Sequence, residues 1–456
     1  MTSRRFRFSL ARRGTALVLF AILLVLLALT GGYSRYDTSA LAVLRPLAIV
    51  VAAALLLLPP GELKTASRGP ALMLVGLAVI VGIQLVPLPP AAWTLLPERA
   101  GYKQAAEWIG GPQPWRPLTI VPVLTWNSLL ALLPPAATMI AFSRLDQKEL
   151  KPLVGALLLL GVASALLGVI QIGTGAGYLY RNFSAGLPTG FFSNRNHQAA
   201  FLASLLPALA IWTAYPRRGM PLAARRIAGG AGATLFVVTI LITGSRTGLL
   251  LTTLDLAAAG WLVLRAPSSG GRRIALPLAT LGLVLALLIG VAVYLGRGGG
   301  ISRFASLDGG AEMRVRAWPV LRDLLTTYLP WGSGFGTFDP LFRMYEPDAL
   351  LKPSFFNNAH NDLVELAITG GAPALILLGV LLIWIARGWM AAARAWRYRG
   401  ASHATSLPIA GGVMAITWLF ASLSDYPLRT PLAGALFVLS CCLLATAGSP
   451  RETRRL

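Results

Sequence analysis

Three short stretches gather the polar side chains that could do chemistry in an otherwise apolar chain: GFFSNRNHQAA (190–200), TGSRTG (243–248) and FFNNAHNDLVEL (355–366). They hold two of the three histidines, His197 and His360, together with Arg195, Asn196, Arg246 and Asn361. A neutral imidazole takes a proton from an attacking hydroxyl near neutral pH. A guanidinium stays charged at any relevant pH and offers phosphate oxygens a fixed fork of donors. The pair of residue types therefore suits a reaction in which a hydroxyl attacks and a phosphate-bearing group leaves. Each residue alone also has a plainer reading. An interfacial His is more often a hydrogen-bonded structural residue, Arg246 can snorkel to lipid headgroups, and Asn196 and His197 can cap a helix.

The elements that must position these residues are membrane spans. The chain of 456 residues is 55% hydrophobic and 12% charged, with mean hydropathy +0.67, outside the range of soluble globular domains. A span needs about 20 mostly apolar residues. Twelve stretches qualify, near 15–32, 42–58, 70–88, 124–143, 153–173, 197–215, 227–243, 247–264, 274–295, 362–386, 407–423 and 430–447. The sequence thus predicts an all-α polytopic membrane protein of about twelve spans, the fourth kinked at Pro134 and Pro135. The net charge of +23 comes from basic residues in short connectors, where they orient spans, so a nucleic-acid partner is set aside. With both termini cytoplasmic, most of the 40 Lys and Arg fall inside and most of the 17 acidic residues outside. Cys441 and Cys442 are adjacent in the last span, where neither a disulfide nor a metal pair is available.

The three chemistry-bearing stretches all fall on the outer face in this topology. The longest outer segment, 296–361, contains AEMRVRAWPVLRDLLTTYL, in which Met313, Ala317, Val320, Leu321, Leu324 and Leu325 form one helical stripe. The reading is an amphipathic helix on the outer, membrane-facing surface, with Arg314 and Arg316 beside the stripe, a basic pattern that also attracts anionic lipid. Asp255, inside the eighth span, is costly in lipid and is either functional or paired with another helix. Asp425 and Arg429 in SDYPLRTP can pair across a tight turn and are read as structural, WGSGFGTF is read as a turn, and His403 as a solvated bystander on the inner side.

The combination resembles the bacterial O-antigen ligase and O-antigen polymerase family. His360-Asn361 leads to Gly371 as the family's His-Asn pair leads to a helix-starting Gly, and FFSNRNHQAAFLA, GSRTGLL, RVRAW with PWGSGFGTF, and SDYPLRTP match further blocks. The resemblance covers about residues 160–445. Three positions after that Gly stands Ala374, where ligases of the family often have Gly, Thr or Tyr, so ligase and polymerase both stay open. It implies a GT-C-like, metal-independent, inverting glycosyltransferase without cofactor, working at the periplasmic face of the inner membrane. The donor would be an undecaprenyl-diphosphate-linked glycan and the acceptor a glycan, lipid A-core or other hydroxyl, with a chain-length regulator as a candidate partner. Carried over by position, His360 is the catalytic base or acceptor-orienting residue, and Arg246 and Arg314 bind the diphosphate. Arg195, Asn196, His197, Arg316 and Asn361 are candidate pocket residues. The domain reading is helices of 1–150, a catalytic membrane domain of 151–447 including loop 296–361, and a cytoplasmic tail of 448–456.

Two rivals differ in class or acceptor. A protein O-oligosaccharyltransferase of the same family would share the diphosphate chemistry. A lipid-linked solute transporter or flippase would place polar residues deep in several spans and carry an inverted repeat, whereas Asp255 is the one clear deep charge here.

Overall fold

The computed structural model describes residues 2–180, 186–216, 219–267, 314–351 and 356–448, and for 2–13 the backbone alone. In chain order the helices are α1 (Thr2–Thr30), α2 (Ala40–Leu56), α3 (Arg68–Ile83), α4 (Pro90–Trp93), α5 (Ala100–Trp108), α6 (Pro122–Leu130), α7 (Leu133–Ser143), α8 (Leu150–Thr174), α9 (Arg195–Ser204), α10 (Leu206–Ala214), α11 (Leu222–Thr243), α12 (Arg246–Arg265), α13 (Trp318–Tyr328), α14 (Phe338–Tyr345), α15 (Asp362–Arg399), α16 (His403–Ser422) and α17 (Pro431–Ala445). Among the described residues the strands are one two-residue antiparallel ladder, β1 (Pro87–Leu88) with β2 (Arg116–Pro117).

Among the described residues, 8 helical runs are long and apolar enough to cross a membrane, and three shorter apolar helices, Gly14–Thr30, Ala40–Leu56 and Arg68–Ile83, stand beside them. These correspond to all but one of the expected spans. The remaining stretch, 274–295, lies outside the described residues. Pro134 and Pro135 stand beside an irregularity within one apolar helical run, Pro122–Ser143. They fall in the first turn of α7, where a missing N–H costs nothing, and the irregularity lies at Ala131–Leu132.

The run Arg195–Ala214 (α9–α10) is the most enclosed, 89% buried, and packs against α8, α11, α12 and α16. The sequence NHQAAFLAS is apolar enough to sit at the bundle centre while carrying His197 and Gln198 into it. Asp255 of α12 is settled by α16: Thr417 Oγ1 donates to its carboxylate oxygens at 2.8 and 3.1 Å. That is the helix-pairing alternative, not an exposed function. Cys441 and Cys442 are buried and unbridged, as packing residues are.

Residues after 313 build a second, smaller core. Val320, Leu321, Leu324 and Tyr328 of α13 meet Phe338, Leu341 and Phe342 of α14, with Phe356 and Ile368 closing the cluster. The amphipathic stripe is therefore correct in its residues, but it faces protein and not the membrane surface. Met313 lies outside the described residues. The WGSGFGTF turn docks this unit onto α15. Ala372 N–H donates to the Pro330 carbonyl at 2.8 Å, and Gln84 bridges the Thr369 carbonyl and the Phe335 N–H at 2.9 Å each. Gly371 takes φ +65°, and a methyl group there would collide with the Pro330 carbonyl oxygen. The glycine after His-Asn is thus required by close approach and by left-handed backbone together.

Candidate functional site

The site forms where α9, α12 and α15 begin and α16 ends. Its centre is Asp425, in the turn after α16. Asn194 Nδ2 and Asn196 Nδ2 donate to its Oδ2 at 3.1 and 2.7 Å. On Oδ1 converge the Tyr426 N–H at 3.0 Å, His360 Nδ1 at 3.4 Å and His197 Nε2 at 3.7 Å. The Tyr426 ring meets both imidazoles edge-on, with centroids 4.9 Å from His360 and 5.3 Å from His197. Asp425 is 3% exposed, and burial alone would push its carboxyl upward. The hydrogen bonds and charges of His197 and His360 outweigh that and hold it well below the usual carboxylate range. Burial, then the Asp425 charge, pushes the Tyr426 phenol upward, so the ring stays neutral.

The local sequence explains how these groups reach one point. Asn194 is the N-cap of α9, accepting from the Asn196 N–H at 2.8 Å, so the cap predicted for Asn196 falls two residues earlier. Asn196 is then free to reach Asp425. Asn361 caps α15 by accepting from Leu363 N–H and Val364 N–H at 3.0 and 3.1 Å. That use turns its side-chain oxygen toward the helix. His360, just before it, has φ +52°, a left-handed conformation that costs a non-glycine residue about 1 kcal/mol or more.

What holds that conformation is a second charged cluster. Arg429 Nε donates to Asp362 Oδ1 at 2.9 Å, Arg429 Nη1 lies 3.0 Å from Glu365 Oε1, and Glu365 Oε2 accepts the Ala359 N–H at 2.9 Å. The pairing of Asp425 with Arg429 that the sequence allows across their turn is therefore not made. The turn directs the two side chains to different partners, Asp425 to the histidines and Arg429 to the start of α15.

The arginines frame the opening. Arg314 Nη1 donates to the Ser424 carbonyl at 2.8 Å, and its Nη2 lies 3.2 Å from His360 Nδ1. Thr247 Oγ1, next to Arg246, is 2.7 Å from Ser424 Oγ. Arg246 itself is exposed at the first turn of α12, and Arg195 Nη1 donates to the Thr243 carbonyl at 3.2 Å. Arg195 and Arg314 are thus tied to the Thr243 and Ser424 carbonyls, and Arg246 stands next to Thr247, which meets Ser424. Arg316 does not join them: it points away and donates to the Ala349 carbonyl at 2.8 Å. His403 lies at the far end of α16 from Asp425, with its ring 6.0 Å from that of Tyr215. It is packed on an aromatic ring and not simply solvated.

His360 Nδ1 faces a donor, Arg314, and an acceptor, Asp425, and can serve only one at a time. Protonated, it donates to Asp425 and leaves the Nε2 lone pair outward. Unprotonated, it accepts from Arg314 and carries its proton on Nε2. Nε2 makes no hydrogen bond among the described residues. Asp425 is the residue that sequence reasoning missed as part of the site. The signal was present in the buried, apolar setting of SDYPLRTP, but its partners Asn194 and Asn196 lie 231 and 229 residues away.

No curated protein is found to match the chain. The model of the O-antigen ligase family matches residues 231–379, a stretch from α11 into α15 that includes Arg246, Arg314, Arg316, His360 and Asn361. His197 and Asp425 lie on either side of it. Through that segment, which carries His360 and two of the framing arginines, Arg246 and Arg314, the chain is similar to the O-antigen ligase family.

Proposed function

We propose that the protein transfers a glycan from an undecaprenyl-diphosphate carrier to an acceptor hydroxyl at the periplasmic face of the inner membrane, without a metal. The observation that carries this reading is the shared His360 Nδ1, held between Arg314 at 3.2 Å and Asp425 at 3.4 Å beside two further arginines. The family match supports glycosyl transfer in general, and the multi-pass helical bundle supports a lipid-linked substrate.

The chemistry runs as follows. The diphosphate draws Arg314 and Arg246 onto its oxygens, and His360 Nδ1–H turns to Asp425. The outward Nε2 then takes the proton of the acceptor hydroxyl as its oxygen attacks the anomeric carbon. The bond from that carbon to the diphosphate breaks on the opposite face, which inverts the centre, and its electron pair passes to the diphosphate. Fixed guanidinium groups in a partly dehydrated site stabilise that charge. Asp425 stabilises the imidazolium as it forms and sets the tautomer, as an acid behind a catalytic histidine does.

The first test is purified protein in lipid with undecaprenyl-diphosphate oligosaccharide, with and without lipid A-core, read by glycan ladder and released lipid diphosphate. Transfer that depends on core marks a ligase, and a ladder from donor alone marks a polymerase. Arg246→Ala, Arg314→Ala and His360→Ala are each expected to abolish transfer at unchanged membrane levels. Wild-type transfer in all three removes the site assignment, and loss of wild-type activity on chelation removes the metal-free mechanism.

A further inference from the structure

Beside the second core an open cleft of about 460 Å³ lies between residues 31–39, the start of α6 and α14, apart from the Asp425 cluster. Its polar wall is Tyr36, Asn127, Asp339 and Arg343, and Val123 and Pro340 belong to the apolar wall. Arg343 is spent on Asp339 in a two-bond fork, Nε to Oδ1 at 2.9 Å and Nη2 to Oδ2 at 3.1 Å. The cleft therefore offers a neutral pair of planar groups and not a bare cation. Asn127 Oδ1 accepts from Arg45 at 2.7 Å, which assigns the amide and leaves its NH2 without a hydrogen bond among the described residues. The Tyr36 ring is 49% exposed beside them.

This set matches one ligand chemistry. A phosphate would meet the Asp339 carboxylate and find the neighbouring guanidinium already paired. An alkyl chain would bury the Asn127 amide donor unpaired and strip water from the Asp339–Arg343 ion pair, each at a cost. A sugar presents hydroxyls to the carboxylate, guanidinium and amide, and a CH face to a ring such as Tyr36. The cleft is also coupled to the reacting end through α14. The opposite face of that helix, Phe338 and Phe342, packs on Phe356 at 6.3 and 4.9 Å, and Phe356 lies 5.3 Å from the His360 ring.

We propose that this cleft is a glycan-binding subsite, which holds one of the two carbohydrate chains away from the reacting centre. Its role rests on the glycosyl-transfer reading, but its test does not.

The test is retention of the purified full chain on an array of neutral and phosphorylated oligosaccharides. Wild-type protein should retain at least one class of neutral glycan. Tyr36→Ala and Asp339→Asn, at positions that contribute nothing to the buried core, should each weaken retention about tenfold with unchanged gel-filtration behaviour. His360→Ala should bind like wild type. Retention of no neutral glycan by wild type, retention only of phosphorylated sugars, or equal retention by the cleft variants overturns the proposal. Glycan retention without any transfer by wild type supports the cleft while removing the transfer reading. In the transfer assay a raised KM for donor or for acceptor in Tyr36→Ala identifies which chain the cleft holds, and unchanged KM for both overturns it.

Discussion

The two charged clusters at the His360 end sit only a few residues apart and are built in opposite ways. Arg429 grips Asp362 and Glu365 at 2.9 and 3.0 Å, with one full cation shared by two carboxylates. Asp425 instead meets neutral amides closely and two imidazoles loosely, at 3.4 and 3.7 Å. The first has one arrangement and fixes backbone. The second has two, because His360 Nδ1 can turn its hydrogen bond from Arg314 to Asp425. A clamp and a proton-responsive hub are thus distinguished by distance and by whether the partners can exchange protons, not by burial, which they share.

The largest effect expected is on the hub. Asp425→Asn keeps shape and most hydrogen bonds but removes the charge behind His360, so transfer should fall about a thousandfold with a smaller fall in Tm than breaking the clamp causes. Rate and melting curve measured on one preparation decide this; parallel loss of both would make the hub another clamp. Breaking the clamp should do the reverse. Arg429→Met leaves the buried Glu365 and the partly buried Asp362 carboxylates uncompensated and should cost about 3 kcal/mol of stability, with activity lost in proportion to folded protein. Adding Asp362→Asn and Glu365→Gln should restore most of the Tm, and failure to do so would show that Arg429 acts beyond the clamp.

Gly371→Ala probes the backbone under both clusters. Its φ of +65° and the contact with Pro330 predict a loss of about 2 kcal/mol, read as a lower Tm. The smallest effect is acid-dependent. The Asp425 carboxyl is held below its unfolded pKa of about 3.9, so its contribution is present above that pH and disappears as pH falls through the native value. The stability gap between wild type and Asp425→Asn should therefore be flat from neutral pH downward and close only below about pH 3.9. Melting curves across that range check the sign; a gap that closes nearer neutrality would mean the carboxyl is not depressed.

Much of this protein was determined by sequence alone, and the physical reason is locality. Runs of apolar residues the length of a bilayer, and a 3.6-residue stripe in 317–325, carry their meaning within a single helix, so the spans and α13 were readable. His360, Arg246 and Arg314 were readable as candidates because charged or titratable groups at the ends of apolar runs need a reason to be there. Only tertiary structure decided the rest. Asp425 and Arg429 stand four residues apart and could pair across their turn, yet each is satisfied by a different distant element, and no periodicity encodes that choice. The same holds for the stripe of α13: the sequence specifies an apolar face, but whether that face meets lipid or protein depends on α14, Phe356 and Ile368 arriving to cover it.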